Sequence, residues 1–237
     1  MRKYYAKKGE IPEQGEIWLP VGDKGHLMML HLVDIDQVRP FVPAELDIAP
    51  IGFGKTLGLV FMTSMGPEST LPYHELIIAP ALIRAQCRYG FFVSHIYVDN
   101  EKSRIGGIRN FGLAKQPAEF SWDWRASEPG CVIVRQENRN LITINYGKAM
   151  GAVPFTLGGN AASMLENKLM LCRNSFKARY GLAKVTYSVP AGSPLHDDLG
   201  RMGLGDPLCS VLGRNMRGVM GADTQAVAFF PRKEAIL

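Results

Sequence analysis

A neutral lysine amine attacks ketones and aldehydes, and Lys115 is the residue of this chain whose surroundings could keep it neutral. It lies in Ile105-Gly-Gly-Ile-Arg-Asn-Phe-Gly-Leu-Ala-Lys-Gln-Pro-Ala118, among small and apolar residues with no acid in its flank. Such surroundings strip hydration from the amine and disfavour its charged form. The same stretch also fits a solvated lysine in a glycine–proline loop, since lysines are mostly exposed. A proton partner is at hand in Tyr73-His74-Glu75, which opens a hydrophobic run. Turned inward, Glu75 would hold its proton more tightly and suit a proton shuttle. Turned outward, it is an ordinary glutamate at a strand end.

Other chemistries find less in the chain. His26, His31, His74 and His95 could gather as metal ligands in a β-barrel enzyme, yet none of the usual ligand spacings occurs. His26 and His31 differ by five positions and should face opposite sides of one strand. No metal is expected. Gly52-Phe-Gly-Lys-Thr56 ends like a phosphate-binding loop, but its first glycine would fall at Ala49. No G-x-S-x-G motif frames a serine nucleophile, and Asn160-Ala-Ala-Ser163 does not replace it. Gly203-Leu-Gly205 lacks the third glycine and the strand–helix frame of a dinucleotide site. Cys87, Cys131, Cys172 and Cys209 form no CxxC pair and read as reduced, buried, small apolar side chains.

The elements that must position Lys115 and Glu75 are mostly strands. Glycines and prolines break regular structure up to Gly25. His26–Val33 is a nearly continuous apolar run, as in a strand buried on both faces. Asp34 and Gln37 suggest a capping box on a short helix that ends before Pro43. Strands follow at 56–65, 73–83 (with Pro80 at a bulge or edge) and 90–98. Asp99 and Asn100 start a helix over 101–111, weakened by its glycines. A strand at 119–125 precedes a hairpin of 131–136 and 141–146. Residues 147–165 read as a glycine-rich loop, 169–179 and 184–189 as strands, and 190–215 as a long loop. Short strands at 217–220 and 225–230 close the chain. About ten strands with a few short helices predict a mainly β (α+β) protein, a closed or nearly closed β-barrel. One domain is expected over residues 1–237, with an irregular N-terminal lead over 1–22.

Composition fits an enzyme of small molecules. The 237 residues are 46% hydrophobic and 21% charged, as in a globular protein with a substantial core. No apolar run reaches transmembrane length, and no signal-peptide core follows the basic start, so a cytoplasmic protein away from membranes is expected. The net charge of +5 comes without a basic run or a basic helix interleaved with aromatics. Nucleic acid is therefore not expected, and an anionic small substrate fits the charge.

The motifs resemble one family. Tyr73-His74-Glu75, then Tyr97-Val98-Asp99-Asn100, then Gly106-Gly107 through Gly112-Leu113-Ala114-Lys115 follow at the intervals of the acetoacetate decarboxylase family. Val38-Arg39-Pro40-Phe41-Val42-Pro43-Ala44-Glu45-Leu46 and Ala228-Phe229-Phe230-Pro231-Arg232 extend the likeness. The resemblance implies a cone-like closed β-barrel with an interior site, in a homo-oligomer. It implies that Lys115 forms a Schiff base with a small keto acid or aldehyde, that Glu75 moves protons, and that no cofactor is needed. It points to a carbon–carbon lyase, in the first place a β-keto acid decarboxylase. An aldolase-dehydratase using the same imine and a non-catalytic ligand-binding barrel stay open. Tyr73, Lys24, Arg109 and Gln116 are the candidate substrate-binding residues. The chain departs from the family in three places. Gln116 follows the lysine in place of a second lysine, Val60 stands in place of a second glutamate, and Lys24 stands in place of an arginine.

Overall fold

The computed structural model describes residues 4–22, 24–123 and 129–231. The first strands are β1 (Val21–Gly22) and β2 (His26–Asp34), followed by helix α1 (Ile35–Val38) and one 3-10 turn (Arg39–Phe41). Then come β3 (Asp47–Ile48), β4 (Lys55–Met65), β5 (Tyr73–Ala79), β6 (Ala81–Ala85), β7 (Arg88–Phe92) and β8 (His95–Val98). Helix α2 (Glu101–Phe111) leads into β9 (Lys115–Pro117) and β10 (Glu119–Asp123). The rest comprises β11 (Gly130–Gln136), β12 (Arg139–Tyr146), β13 (Met150–Leu165), β14 (Lys168–Leu182), β15 (Val185–Ser188), α3 (Pro194–Arg201) and β16 (Cys209–Phe229).

The large sheet runs β3-β6-β7-β13-β14-β16-β2-β4-β5-β8-β9, with β1 on β16; a second sheet runs β10-β11-β12-β15. Most neighbours are antiparallel, but β7 on β13 and β9 on β8 are parallel. As a ladder the large sheet is open, so the expected closure is not made by strand pairing among the described residues. Its end strands are short: β3 has two residues and β9 three, with Pro117 bringing no N–H to a further ladder. The two limbs approach each other along one segment. Val93 N–H donates to Ala162 O at 2.9 Å, and Ser94 N–H donates to Ile78 O at 3.1 Å.

Strand alternation gives the large sheet two apolar faces. One buries Leu27, Met29, Val60, Met62, Leu76 and Ile78 completely. These pack with Val38 of α1, Leu195 and Leu199 of α3, and Val132 and Ile144 of the second sheet. Each such side chain contributes about 1.5–3 kcal/mol over an exposed one. The other face, carrying Met28, Phe61, Glu75 and Ile77, lines a cavity.

The largest departures from expectation lie in the glycine- and proline-rich stretches. The expected loop of 147–165 is the 16-residue strand β13, paired along its length with β14. Pro154 is tolerated there because β7 pairs only with Ala161 and Ala162, which leaves the rest of β13 an edge. The expected loop of 190–215 contains α3, capped by Ser193 accepting from Leu195 N–H, and the start of β16. The two short closing strands are one 21-residue strand, bent at register shifts that accompany the left-handed residues Asn215, Gly221 and Asp223. The expected strand at 73–83 breaks at Pro80 into β5 and β6, and that at 90–98 breaks at Val93–Ser94. Asp34 stands at the start of α1 but makes no side-chain cap; its carboxylate pairs with Lys55 at 2.8 Å. Residues 124 and 125 of the expected 119–125 strand lie outside the described residues. Helix α2 has the expected bounds.

Candidate active site

Lys115 enters the cavity from β9, and the next residue on that strand, Gln116, faces the other way. The residue is 4% exposed, whereas Gln116 is exposed and its Oε1 accepts from Gln136 Nε2 at 3.3 Å. Glu75 comes from β5, two strands away across β8, and is also 4% exposed. Lys115 Nζ donates to Glu75 Oε2 at 2.7 Å and to Ser103 Oγ at 3.0 Å. The expected lysine–glutamate partnership is therefore made, inside the protein, by residues forty positions apart.

Helix α2 is shaped to let this happen. Asn100 Oδ1 caps it by accepting from Ser103 N–H at 3.0 Å, and Gly112 ends it at φ 67°. Such a cap is worth about 1 kcal/mol. Its inner face is Ser103, Gly106, Gly107 and Asn110, small and polar rather than apolar, with Phe111 at its C-terminal end. A Cβ on Gly107 would lie 2.5 Å from Lys115 Cε, and one on Gly106 would lie 3.0 Å from the Trp18 ring. Glycine inside a helix costs about 1 kcal/mol relative to alanine. Here Gly107 clears the path of the lysine side chain and Gly106 makes room for the Trp18 ring, so a weak helix in sequence is a fitted one in space.

Aromatic rings enclose the amine. Nζ lies 5.0 Å from the Tyr73 ring centroid and 5.5 Å from that of Trp18, within cation–π range. Burial, and next the nearby Glu75 carboxylate, push the Tyr73 hydroxyl well above the usual phenol range. It makes no hydrogen bond of ordinary geometry, although Ser103 lies close enough to oppose that rise slightly. The Trp18 indole N–H is likewise buried without a partner.

The cavity has a volume of about 180 Å³. A larger open groove of about 780 Å³ runs past Phe41, His95 and Asp198, but it holds neither Lys115 nor Glu75; Val93 lines both. The small cavity, which contains the paired amine and carboxylate, is the candidate site.

The other expected site residues fall elsewhere. Arg109 is exposed on α2, opposite the glycine face, and does not reach the interior. Gln116 is exposed for the alternation reason above, and Lys24 does not line the cavity. Val60 faces the main core, and the residues of β4 that face the cavity are Leu59 and Phe61. The four histidines do not converge. His26 Nε2 meets Tyr180 OH at 2.9 Å, His31 packs on Tyr187, His74 pairs with Asp99, and His95 pairs with Asp198. As expected, His26 and His31 take opposite sides of β2. Cys172 alone is a buried cysteine; Cys87 and Cys209 are exposed and Cys131 is half-buried. Cys172 lines the cavity, and burial pushes its thiol up to about 11.

Sequence reasoning missed Ser103 and Trp18. Ser103 could have been found, because Ser103, Gly107 and Asn110 share one helix face that lacks the usual apolar stripe. Trp18 lies in the lead read as irregular, and no spacing signal marks it. A β-bridge to Met220 holds it in place.

Residues 8–154 match the acetoacetate decarboxylase family profile. Curated protein sequences offer no match. Among solved structures, an acetoacetate decarboxylase from Legionella pneumophila is 12% identical, with a TM-score of 0.68 over 97% of this chain and 91% of that one. The enduracididine biosynthesis enzyme MppR, complexed with the condensation product of pyruvate and imidazole 4-carboxaldehyde, is 12% identical, with a TM-score of 0.60 over 94% and 93%. An acetoacetate decarboxylase-like enzyme from Sphingomonas wittichii RW1 is 13% identical, with a TM-score of 0.59 over 95% and 100%. At these identities the likeness is one of fold.

Proposed function

The chain belongs to the acetoacetate decarboxylase family, and from that premise we propose that it is a carbon–carbon lyase working through a Schiff base on Lys115. The observation that carries this reading is the buried Lys115–Glu75 hydrogen bond of 2.7 Å in an otherwise apolar cavity. Proton transfer from Nζ to Oε2 along that bond leaves a free amine, which adds to the substrate carbonyl. The carbinolamine oxygen leaves as water, taking the proton held by Glu75, and a protonated imine results. The bond from the carbon α to the imine to the group beyond it (the carboxylate carbon of a β-keto acid) then breaks, and its electron pair flows through the α carbon toward the imine nitrogen to give an enamine. Glu75, left as a carboxylate, takes up a proton from water and passes it to the α carbon, and water then hydrolyses the imine to release product and regenerate the amine. Ser103 and the Tyr73 and Trp18 rings hold Nζ in place through these steps.

Two outcomes use the same imine. Loss of CO2 from a β-keto acid is the decarboxylase outcome. Release or capture of a carbonyl compound is the aldolase-dehydratase outcome, favoured by the fold neighbour whose complex holds a condensation product. We read residues 88–98 as the seam along which the open ladder rolls into the family's cone. We also read the protein as a cytoplasmic homo-oligomer; the exposed Met150, Val153 and Phe155 on the free edge of β13 support the latter. Among the described residues no helix is long and apolar enough to cross a membrane.

Borohydride reduction in the presence of candidate carbonyl compounds, followed by mass mapping, tests the imine. The expected result is one adduct, on Lys115, absent from Lys115→Arg. A protein that binds these compounds with unchanged affinity in Lys115→Arg, and never forms the adduct, is a binding barrel instead.

A further inference from the structure

The cavity that holds Lys115 is poor in charge beyond the reacting pair. Its walls include Met28, Leu59, Phe61, Ile77, Phe91 and Phe176. Among the described residues that line it, Lys115 is the one cation and Glu75 the one anion, and each is the other's partner. The remaining polar groups are neutral, and of these the Trp18 indole N–H has no partner. Asn160 Nδ2 donates to Tyr89 O at 2.7 Å, and Asn174 Oδ1 accepts from Gly221 N–H at 3.3 Å and lies 3.5 Å from Cys172 Sγ.

A keto acid brings a carboxylate with its carbonyl. Once the carbonyl carbon is bonded to Nζ, the iminium charge already faces Glu75. The substrate carboxylate would then lie within a few ångströms of a second carboxylate, against apolar walls. An unpaired buried carboxylate costs many kcal/mol, and like charges close together add to that cost. The cations that could offset it are elsewhere, with Arg109 exposed on the far side of α2 and Lys24 off the cavity wall. An apolar arm incurs neither cost and gains from burial.

We infer that the site takes an uncharged, apolar aldehyde or methyl ketone in preference to a keto acid, and so runs carbonyl release or condensation rather than CO2 loss. This rests on the imine reading above. The cavity volume of about 180 Å³ suits a small carbonyl compound. In the cleavage direction, a β-hydroxy ketone bound as the iminium gives up its hydroxyl proton to Glu75. The carbon–carbon bond breaks, an aldehyde leaves, and the electron pair forms the enamine, which is reprotonated and hydrolysed to the methyl ketone. Atoms and charge balance with no co-reactant besides water.

Two isosteric pairs test this. Methyl isobutyl ketone matches acetoacetate, and methyl isoamyl ketone matches levulinate, with an isopropyl group in place of the carboxylate. The readout is the concentration of each that half-saturates borohydride labelling of Lys115. The expected result is half-saturation by each ketone at a concentration at least tenfold lower than that of its acid. Equal or tighter labelling by the acids overturns the inference and leaves the imine reading standing; no labelling by any of the four overturns both. The half-exposed Met28, on the cavity wall, offers a second arm. Folded Met28→Arg is expected to label with levulinate at least tenfold more tightly than the unsubstituted protein does. Unchanged levulinate labelling in that variant shows that wall charge does not set the preference, and overturns the inference.

Discussion

His74 and Glu75 are adjacent on β5, each bonds an ionisable side chain of another segment, and the two pairs do different things. His74 Nδ1 meets Asp99 Oδ2 at 2.6 Å, and Glu75 Oε2 meets Lys115 Nζ at 2.7 Å. Strand alternation sends them to opposite faces. The His74–Asp99 side chains are 23% and 28% exposed, those of Lys115–Glu75 only 2% and 5%. His74 also stacks on Phe120 at 5.7 Å, so its pair ties the second sheet to β5. Equal distances thus conceal unequal settings. In the wetter setting a charged pair is a modest clamp. In the dry one, the cost of stripping water from both groups offsets much of their attraction. A pair held there is poorly explained by stability and well explained by chemistry.

The largest effect expected from this contrast is on Lys115. Lys115→Arg keeps a cation beside Glu75 but removes the nucleophile, so kcat falls at least about 10³-fold while the melting temperature stays close to that of the unsubstituted protein. Lys115→Met strands the glutamate and costs about 3–5 kcal/mol in denaturant unfolding. Adding Glu75→Leu to Lys115→Met restores most of that loss, because an apolar pair suits an apolar cavity. A double variant no more stable than the single one would mean that the charges hold the fold together.

Glu75→Gln comes next. It keeps the shape and a hydrogen-bond partner for Nζ but cannot take the proton. A fall in kcat of about 10²-fold or more is expected in steady-state assays, with little change in substrate half-saturation. An unchanged kcat would assign the proton transfers to another group.

Buried histidines without a carboxylate partner offer a third setting. Burial lowers His26 from the usual 6.5 to about 3, and lowers His31 to about 4 against a smaller opposing pull from Asp206. In the unfolded chain both protonate near 6.5, so below that pH the unfolded state binds more protons and stability falls with pH. The neutral histidines' contribution is complete above about 6.5 and drains away toward about 4 and then 3, by up to about 1.4 kcal/mol per pH unit for each group. Urea unfolding at several pH values should show this slope, and His26→Asn should flatten it. An identical slope in that variant would place the proton uptake elsewhere.

What the sequence made legible follows the same division between local and assembled features. Helix α2 could be read because its cap, Asn100, and its stop, Gly112, are local signals. The pairing of Lys115 with Glu75 came from family spacing and not from residue chemistry alone, since no local pattern tells which face of β9 or β5 is dry. For that reason Gln116 and Arg109 were placed near the site, although one-residue alternation on β9 and the helix turn carry both outward. The long strands β13 and β16 were illegible because their glycines and prolines argue for loops. What makes them strands is a ladder with β14, a contact between segments distant in the chain. The charge-poor cavity wall was equally hidden, being assembled from strands that are only uniformly apolar in sequence.

The smallest expected effect is at His74, and it tests the contrast from its wetter side. His74→Ala removes the ion pair with Asp99 and the stack on Phe120 but leaves the β5 backbone to hold Glu75. A partly exposed pair contributes up to about 1 kcal/mol and an aromatic stack about 0.5–1.5 kcal/mol, so a loss of about 1–2 kcal/mol in urea unfolding is expected. Borohydride labelling of Lys115 and kcat should stay within about twofold, because the variant touches neither the amine nor the cavity wall. Adding Asp99→Ala should cost about 1.5–3 kcal/mol more, since Asp99 Oδ1 also accepts from the His74 backbone N–H at 2.7 Å, a bond that the His74 truncation leaves in place. If instead His74→Ala abolishes labelling at full stability, the two faces of β5 are coupled. The proton path would then run through the strand to the second sheet, and the division between clamp and catalyst would fall with it.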